Sequence, residues 1–103
     1  MAKYLYAYHG GSVPQSKEEG ERVMQAWIGW FGKLGASVVD GGNPVGKSTT
    51  VKNGSVIADG GANPVSGYSI IEALDTDEAV AKAKGCPVIA AGGSVEIAEI
   101  FPM

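Results

Sequence analysis

The sequence is poor in the residues that most often mark a chemical site. Its 103 residues include one histidine, His9, and one cysteine, Cys86. A lone cysteine excludes an internal disulfide and is compatible with a reducing, cytoplasmic setting. One His and one Cys, with no His-x-x-x-His or Cys-x-x-Cys spacing, argue against a bound metal. No residue pattern argues for haem, flavin or another cofactor. Basic residues are also scarce. Eight Lys and Arg stand against eleven Asp and Glu, for a net charge of −3. The eight are spread thinly, so no nucleic-acid footprint is expected. No apolar run approaches the roughly 18 residues that span a bilayer, so no membrane segment is expected. The start, Met1 to Tyr8, has no charged n-region followed by a long apolar stretch, so no signal peptide is expected.

What is present describes a globular chain. The composition is 45% hydrophobic and 18% charged, which fits a packed fold and not a disordered one. About 100 residues support one core, and residues 1–103 read as one domain. The sixteen glycines fall largely in pairs: Gly10-Gly11, Gly41-Gly42, Gly60-Gly61 and Gly92-Gly93. These pairs sit where elements end.

Lys3 to His9 reads as a strand, with Tyr4, Tyr6 and Tyr8 on one face and Leu5, Ala7 and His9 on the other. Ser16 is placed to cap a helix, with Glu19 as its capping-box partner. Val23, Met24, Trp27, Ile28, Trp30, Phe31 and Leu34 then recur at helical spacing as a wide apolar face. Trp27 and Trp30 are read as packing residues on that face. Gly35 stops the helix. Ser37 to Asp40 is a short strand. Ser48 to Lys52 and Ser55 to Ala58 flank Asn53-Gly54, the strongest short hairpin signal. Gly67 to Ala73 is a further strand, with Tyr68, Ile70 and Glu72 on one face and Ser69, Ile71 and Ala73 on the other. Asp75 to Lys84 is a second helix, capped by Asp75 and stopped by Gly85. Pro87 prevents its continuation. Ser94 to Ile100 is a last strand.

The order is β-α-β, a hairpin, then β-α-β. That is an α+β chain of the ferredoxin-like, split βαβ type with an inserted hairpin. Two helices cover one face of such a sheet. The other face needs a cover too, and a second copy packed sheet to sheet in a symmetric homodimer is the simplest one.

Gly41-Gly42-Asn43-Pro44-Val45-Gly46-Lys47-Ser48 fits the P-loop pattern at every fixed position. That mechanism needs a helix to start at the lysine, where its amides hold phosphate. Ser48-Thr49-Thr50-Val51 leads into a hairpin instead, so a Gly/Pro turn is the better reading.

Several pieces together resemble the YCII-related family, which includes the DGPF-motif proteins. They are the Asn-Gly hairpin leading to Asp59-Gly60, then Gly67-Tyr68-Ser69-Ile70-Ile71-Glu72-Ala73. Asp75-Thr76-Asp77-Glu78-Ala79, Lys84-Gly85-Cys86-Pro87 and Gly93-Ser94-Val95-Glu96-Ile97 follow. Lys3-Tyr4-Leu5 to His9-Gly10-Gly11 also looks like the family's first strand. The resemblance implies a ferredoxin-like fold in a dimeric α+β barrel with an internal cleft, and a His–Asp pair proposed as catalytic in some members. The chain departs from the pattern at Asp59-Gly60-Gly61-Ala62-Asn63, where DGPF proteins carry Pro, Phe and a nearby acid.

The candidate site residues follow from chemistry and position. His9 ends the first strand beside two glycines, and an imidazole with an ordinary pKa near 6.5 suits acid–base work. Asp59, at the end of the hairpin, is its candidate partner, though Asp is also a common turn residue. Asp40, Tyr68 and Glu72 are candidate ligand-binding groups. Cys86 is read as a buried small hydrophobe and not as a nucleophile. The resulting expectation is a small-molecule enzyme using His9 and Asp59 in a dimer cleft. The alternative is a non-catalytic metabolite-binding or protein-interaction module.

Overall fold

The computed structural model describes residues 1–103. Its elements are β1 (Ala2–His9), α1 (Lys17–Leu34), β2 (Val38–Asp40), β3 (Thr50–Lys52), β4 (Ser55–Ile57), β5 (Val65–Ala73), α2 (Thr76–Ala83), α3 (Pro87–Ala90) and β6 (Ser94–Ile100). Four strands form one antiparallel sheet in the order β2-β5-β1-β6. This is the ferredoxin-like arrangement, with the β3–β4 hairpin inserted between β2 and β5 as a separate two-stranded arm.

Both long helices start where their caps dictate. The Ser16 hydroxyl accepts from the Glu19 amide at 3.1 Å, and Glu19 reaches back to the Gln15 amide at 3.1 Å. Asp75 accepts from the Glu78 amide at 2.8 Å, and Glu78 from the Leu74 amide at 3.2 Å. These reciprocal bonds satisfy amides that a helix start leaves without partners. The short α3 was not expected. Proline cannot extend a helix but suits its first position, and Pro87 opens α3 there. The hairpin turn is as expected, with Asn53 and Gly54 both at positive φ.

The core lies between the sheet and the helices. Tyr4, Tyr6 and Tyr8 of β1 are buried, as are Ile71 and Ala73 of β5 and Trp30, Ala79 and Ala83 of the helices. The buried polar tips find partners: Tyr6 donates to the Ala79 carbonyl, and the Trp30 indole to the Lys82 carbonyl at 3.1 Å. The apolar stripe of α1 is narrower than its sequence suggests. Met24 and Ile28 are 62% and 56% exposed, because at 100° per residue Ile28 points away from the side on which Trp30 packs.

The opposite face of the sheet carries no helix. Strand register sets Ile70, Leu5 and Ala98 in one cross-strand row, with Glu72, Lys3 and Ile100 in the row beside it. The molecule is a slab, 42 × 42 × 18 Å. No helix is long and apolar enough to cross a membrane.

Candidate functional site

The pairing of β2 with β5 is interrupted at Gly41-Gly42. The register shifts between Val38 and Asp40, and the chain rejoins β5 where Pro44 bridges Gly67. The Tyr68 amide donates to the Asn43 carbonyl at 3.2 Å, and the Val45 amide to the Ser66 carbonyl at 3.0 Å. Gly42 has φ +70°, and a Cβ there would overlap the Tyr68 carbonyl. Only glycine fits such a crossing. The kink turns the Gly41 carbonyl out of the ladder. Ser69 donates to it at 2.7 Å and accepts from the Tyr8 hydroxyl at 2.7 Å. Asp40 accepts from the Gly42 amide at 2.8 Å, so its carboxylate braces the kink.

The kink leaves a cleft of about 440 Å³ between α1 and the sheet. Its walls are Val23, Met24, Trp27 and Phe31 of α1 and Tyr8 of β1, and the Gly41–Pro44 turn forms its rim. The aromatic rings support one another. Tyr8 and Trp27 meet edge to face with centroids 5.1 Å apart, and Trp27 lies 5.8 Å from Phe31. No His, Cys, Lys, Arg, Asp or Glu lines this cleft. Burial raises the Tyr8 hydroxyl above its ordinary value more than the Ser69 bond lowers it. The hydroxyl therefore keeps its proton near neutral pH, and that proton is engaged with Ser69. Burial likewise pushes the Cys86 thiol up to about 11, in keeping with an inert packing residue.

His9 lies on the other side of the sheet. Its Nε2 is 2.8 Å from Glu96 Oε1, and its Nδ1 is 2.9 Å from the Asn63 carbonyl oxygen. Both partners are acceptors when Glu96 is ionised, so both ring nitrogens must donate. Only the imidazolium does that. Partial burial opposes the charge, but the Glu96 bond, the Pro64 and Asn63 carbonyls and the Glu96 charge together raise the histidine above its ordinary 6.5. The His9 side chain is 11% exposed and that of Glu96 69%.

The carboxylate beside His9 is thus Glu96, and Asp59 is engaged elsewhere. Asp59 accepts from the Gly61 amide at 3.0 Å, and its carbonyl accepts from Thr50 at 2.6 Å. These bonds shape the turn that leads to Asn63. Tyr68 and Glu72 share the uncovered face as read from sequence, and Tyr68 also borders the cleft. Glu72 lies opposite Lys3 in the ladder, and its carbonyl accepts from Lys82 Nζ at 3.2 Å. The structure joins none of Asp40, Asp59, Tyr68 and Glu72 to His9. No helix begins at Lys47, and residues 46–49 are irregular before β3. No group of three His, Cys, Asp or Glu side chains comes together that could hold a metal ion. The cleft residues were legible as an apolar stripe and as tyrosines sharing a strand face. That these surfaces part at the Gly41-Gly42 kink was not. Glu96 could be found only once β6 was known to lie beside β1.

No protein-family model matches the chain, and no curated protein matches it. Among solved structures, it is similar to 5-chloro-2-hydroxyhydroquinone dehydrochlorinase from Burkholderia phenoliruptrix AC1100 in complex with 2,5-dihydroxybenzoquinone. The likeness is one of fold. The TM-score is 0.57 over 98% of this chain and 94% of that one, at 17% sequence identity. The matching elements are those of a ferredoxin-like α+β chain, here with an open, four-stranded sheet.

Proposed function

We propose that this chain is a homodimeric, small-molecule-binding protein of the YCII-related type, and that each chain holds a small aromatic compound in the cleft between α1 and the Gly41–Pro44 turn. The observation that carries this reading is the cleft itself. Its volume of about 440 Å³ lies within the range of small-ligand sites, about 300–1,000 Å³, which are mostly apolar with few polar groups. Aromatic walls suit a planar ring. The Tyr8 oxygen, tied to Ser69 on one side, supplies a polar contact at the wall. With no acid or base in the cleft, binding is the function its chemistry supports. The structural neighbour was solved with a single-ring quinone, a ligand of the size this cleft accommodates.

Two magnitudes support the dimer. A compact monomer of 10.5 kDa exposes about 5,400 Å², whereas this chain exposes 6889 Å². The surplus is about 1,500 Å² per chain. The separate hairpin arm and the uncovered sheet face both contribute to it, and a bare sheet face is what a second copy would cover. Two such faces packed together would give the α+β barrel and leave both clefts on the outer, helical side.

A second reading is an enzyme that uses His9 as an acid. One observation favours it: His9 Nε2 meets Glu96 and Nδ1 meets the Asn63 carbonyl, a pair of acceptors that favours the imidazolium, with Asp59 shaping the turn that carries Asn63. In this reading Glu96 takes the place that the sequence gives Asp59.

Calorimetric titration with 1-naphthol tests the first reading. The wild type is expected to bind it, and Met24→Arg is expected to weaken binding at least tenfold. Met24 stands at the exposed mouth of the cleft, so the substitution blocks entry without emptying the core. No binding by the wild type, or equal binding by both proteins, would overturn the reading.

A further inference from the structure

A second, larger hollow adjoins the cleft. A groove of about 1,110 Å³ runs along the other side of α1, bounded by the Gly10–Val13 loop and by Lys84–Ala91. Val23, Trp27, Pro44 and Ser66 border both cavities, so the two adjoin. Trp30, Cys86 and Val88, all nearly fully buried, give the groove an apolar floor.

Its charge runs against that of the chain. The protein is acidic overall, with a net charge of −3. The groove is nevertheless lined by Arg22, Lys33 and Lys84, with Glu19 as its one acid. Glu19 is already engaged at the start of α1, where it accepts from the Gln15 amide. The three cations have no anionic partner, for the chain's two ion pairs are His9–Glu96 and Lys82–Glu78. Arg22 is the chain's single arginine. It adjoins Val23, where cleft and groove meet, and a guanidinium binds carboxylate, sulfonate or phosphate through paired hydrogen bonds. Lys33 lies eleven residues further along α1, about 16 Å at 1.5 Å per residue. Lys84 follows α2 and lines the groove on the other bank.

We infer that the ligand is an elongated organic anion. Its ring sits in the aromatic cleft, and its anionic end enters the groove at Arg22, with Lys33 and Lys84 adding to the positive field along it. This rests on the binding function proposed above and names the class of compound bound. An apolar floor beneath unpaired cations suits a body that is apolar along its length and charged at its end. A neutral ring would use the cleft alone.

Two probes with one aromatic skeleton separate the claims. 8-Anilinonaphthalene-1-sulfonate carries the anion, and N-phenyl-1-naphthylamine lacks it. Both are titrated by fluorescence into the wild type and into the triple variant Arg22→Gln, Lys33→Gln, Lys84→Gln. These are surface positions, so the fold is kept. Each lost charge is expected to weaken the anionic probe about two- to threefold, as for exposed ion pairs, and the triple variant about tenfold. The neutral probe should bind both proteins alike. Added salt should weaken only the anionic probe. Equal loss for both probes, or no change in the triple variant, would overturn the inference and leave the cleft standing. Failure of either probe to bind the wild type separates the readings further: loss of the anionic one alone refutes this inference, and loss of both refutes the cleft as well.

Discussion

His9 is held between two acceptors, Glu96 and the Asn63 carbonyl, and that fixes how it must respond to pH. Its folded pKa lies above the ordinary 6.5. The folded state therefore binds the proton more tightly than the unfolded chain. The stabilisation is fully present below about 6.5 and is lost as pH rises through the folded value. Glu96 is mostly exposed, so the pair should contribute under about 1 kcal/mol. Thermal unfolding of the wild type and Glu96→Gln should differ most near pH 6 and converge toward pH 9. A difference that grows with pH would mean that His9 is neutral in the folded state. At this scale the sequence showed the histidine and its strand end but not its partner. Glu96 is 87 positions away, and only the register of β6 against β1 brings it near. Asp59 had the better sequence credentials, beside the Gly60-Gly61 turn, and that same turn chemistry engages its carboxylate.

At the scale of elements, local signals were read well where the chain itself enforces them. Both capping boxes, the Asn-Gly hairpin and the alternation of tyrosines along β1 appear as expected. Their physics spans a few residues and leaves a mark in the sequence. The kink after β2 is different. Gly41-Gly42 could be seen as a turn, but its effect depends on crossing β5, which lies far along the chain. Gly42 and Gly54 separate the two kinds of glycine. Both have positive φ, yet a side chain at Gly42 meets the Tyr68 carbonyl, whereas nothing lies within 4 Å at Gly54. Gly54→Ala should cost about 1–2 kcal/mol, the ordinary strain of a left-handed residue. Gly42→Ala should cost clearly more and should also weaken 1-naphthol binding, since the kink shapes the cleft. Urea unfolding of both variants checks the order. Equal costs would mean that the kink yields easily and does not set the cleft.

At the scale of the molecule, the decisive facts are thinness and two unlike faces. One side of the sheet is packed by helices around the tyrosines and Trp30. The other presents Leu5, Ile70 and Ala98 to solvent in a single chain. The sequence made this asymmetry legible, because two helices cannot cover both faces of one sheet. Sedimentation equilibrium should return twice the 10.5 kDa mass of one chain, and Leu5→Asp, at the centre of the uncovered face, should give the single mass. A wild-type monomer, or a Leu5→Asp dimer, would place the association elsewhere or remove it. In the proposed dimer the uncovered faces would be buried and the helical sides would stay open, so the proposed ligand sites would not compete with assembly. The most direct test of that division is an amide chemical-shift map of the protein titrated with 1-naphthol. The shifts should concentrate at Tyr8, Val23 to Phe31, Gly41 to Asn43 and Gly67. Shifts centred instead on His9, Asn63 and Glu96 would contradict the cleft and make the histidine face the working site.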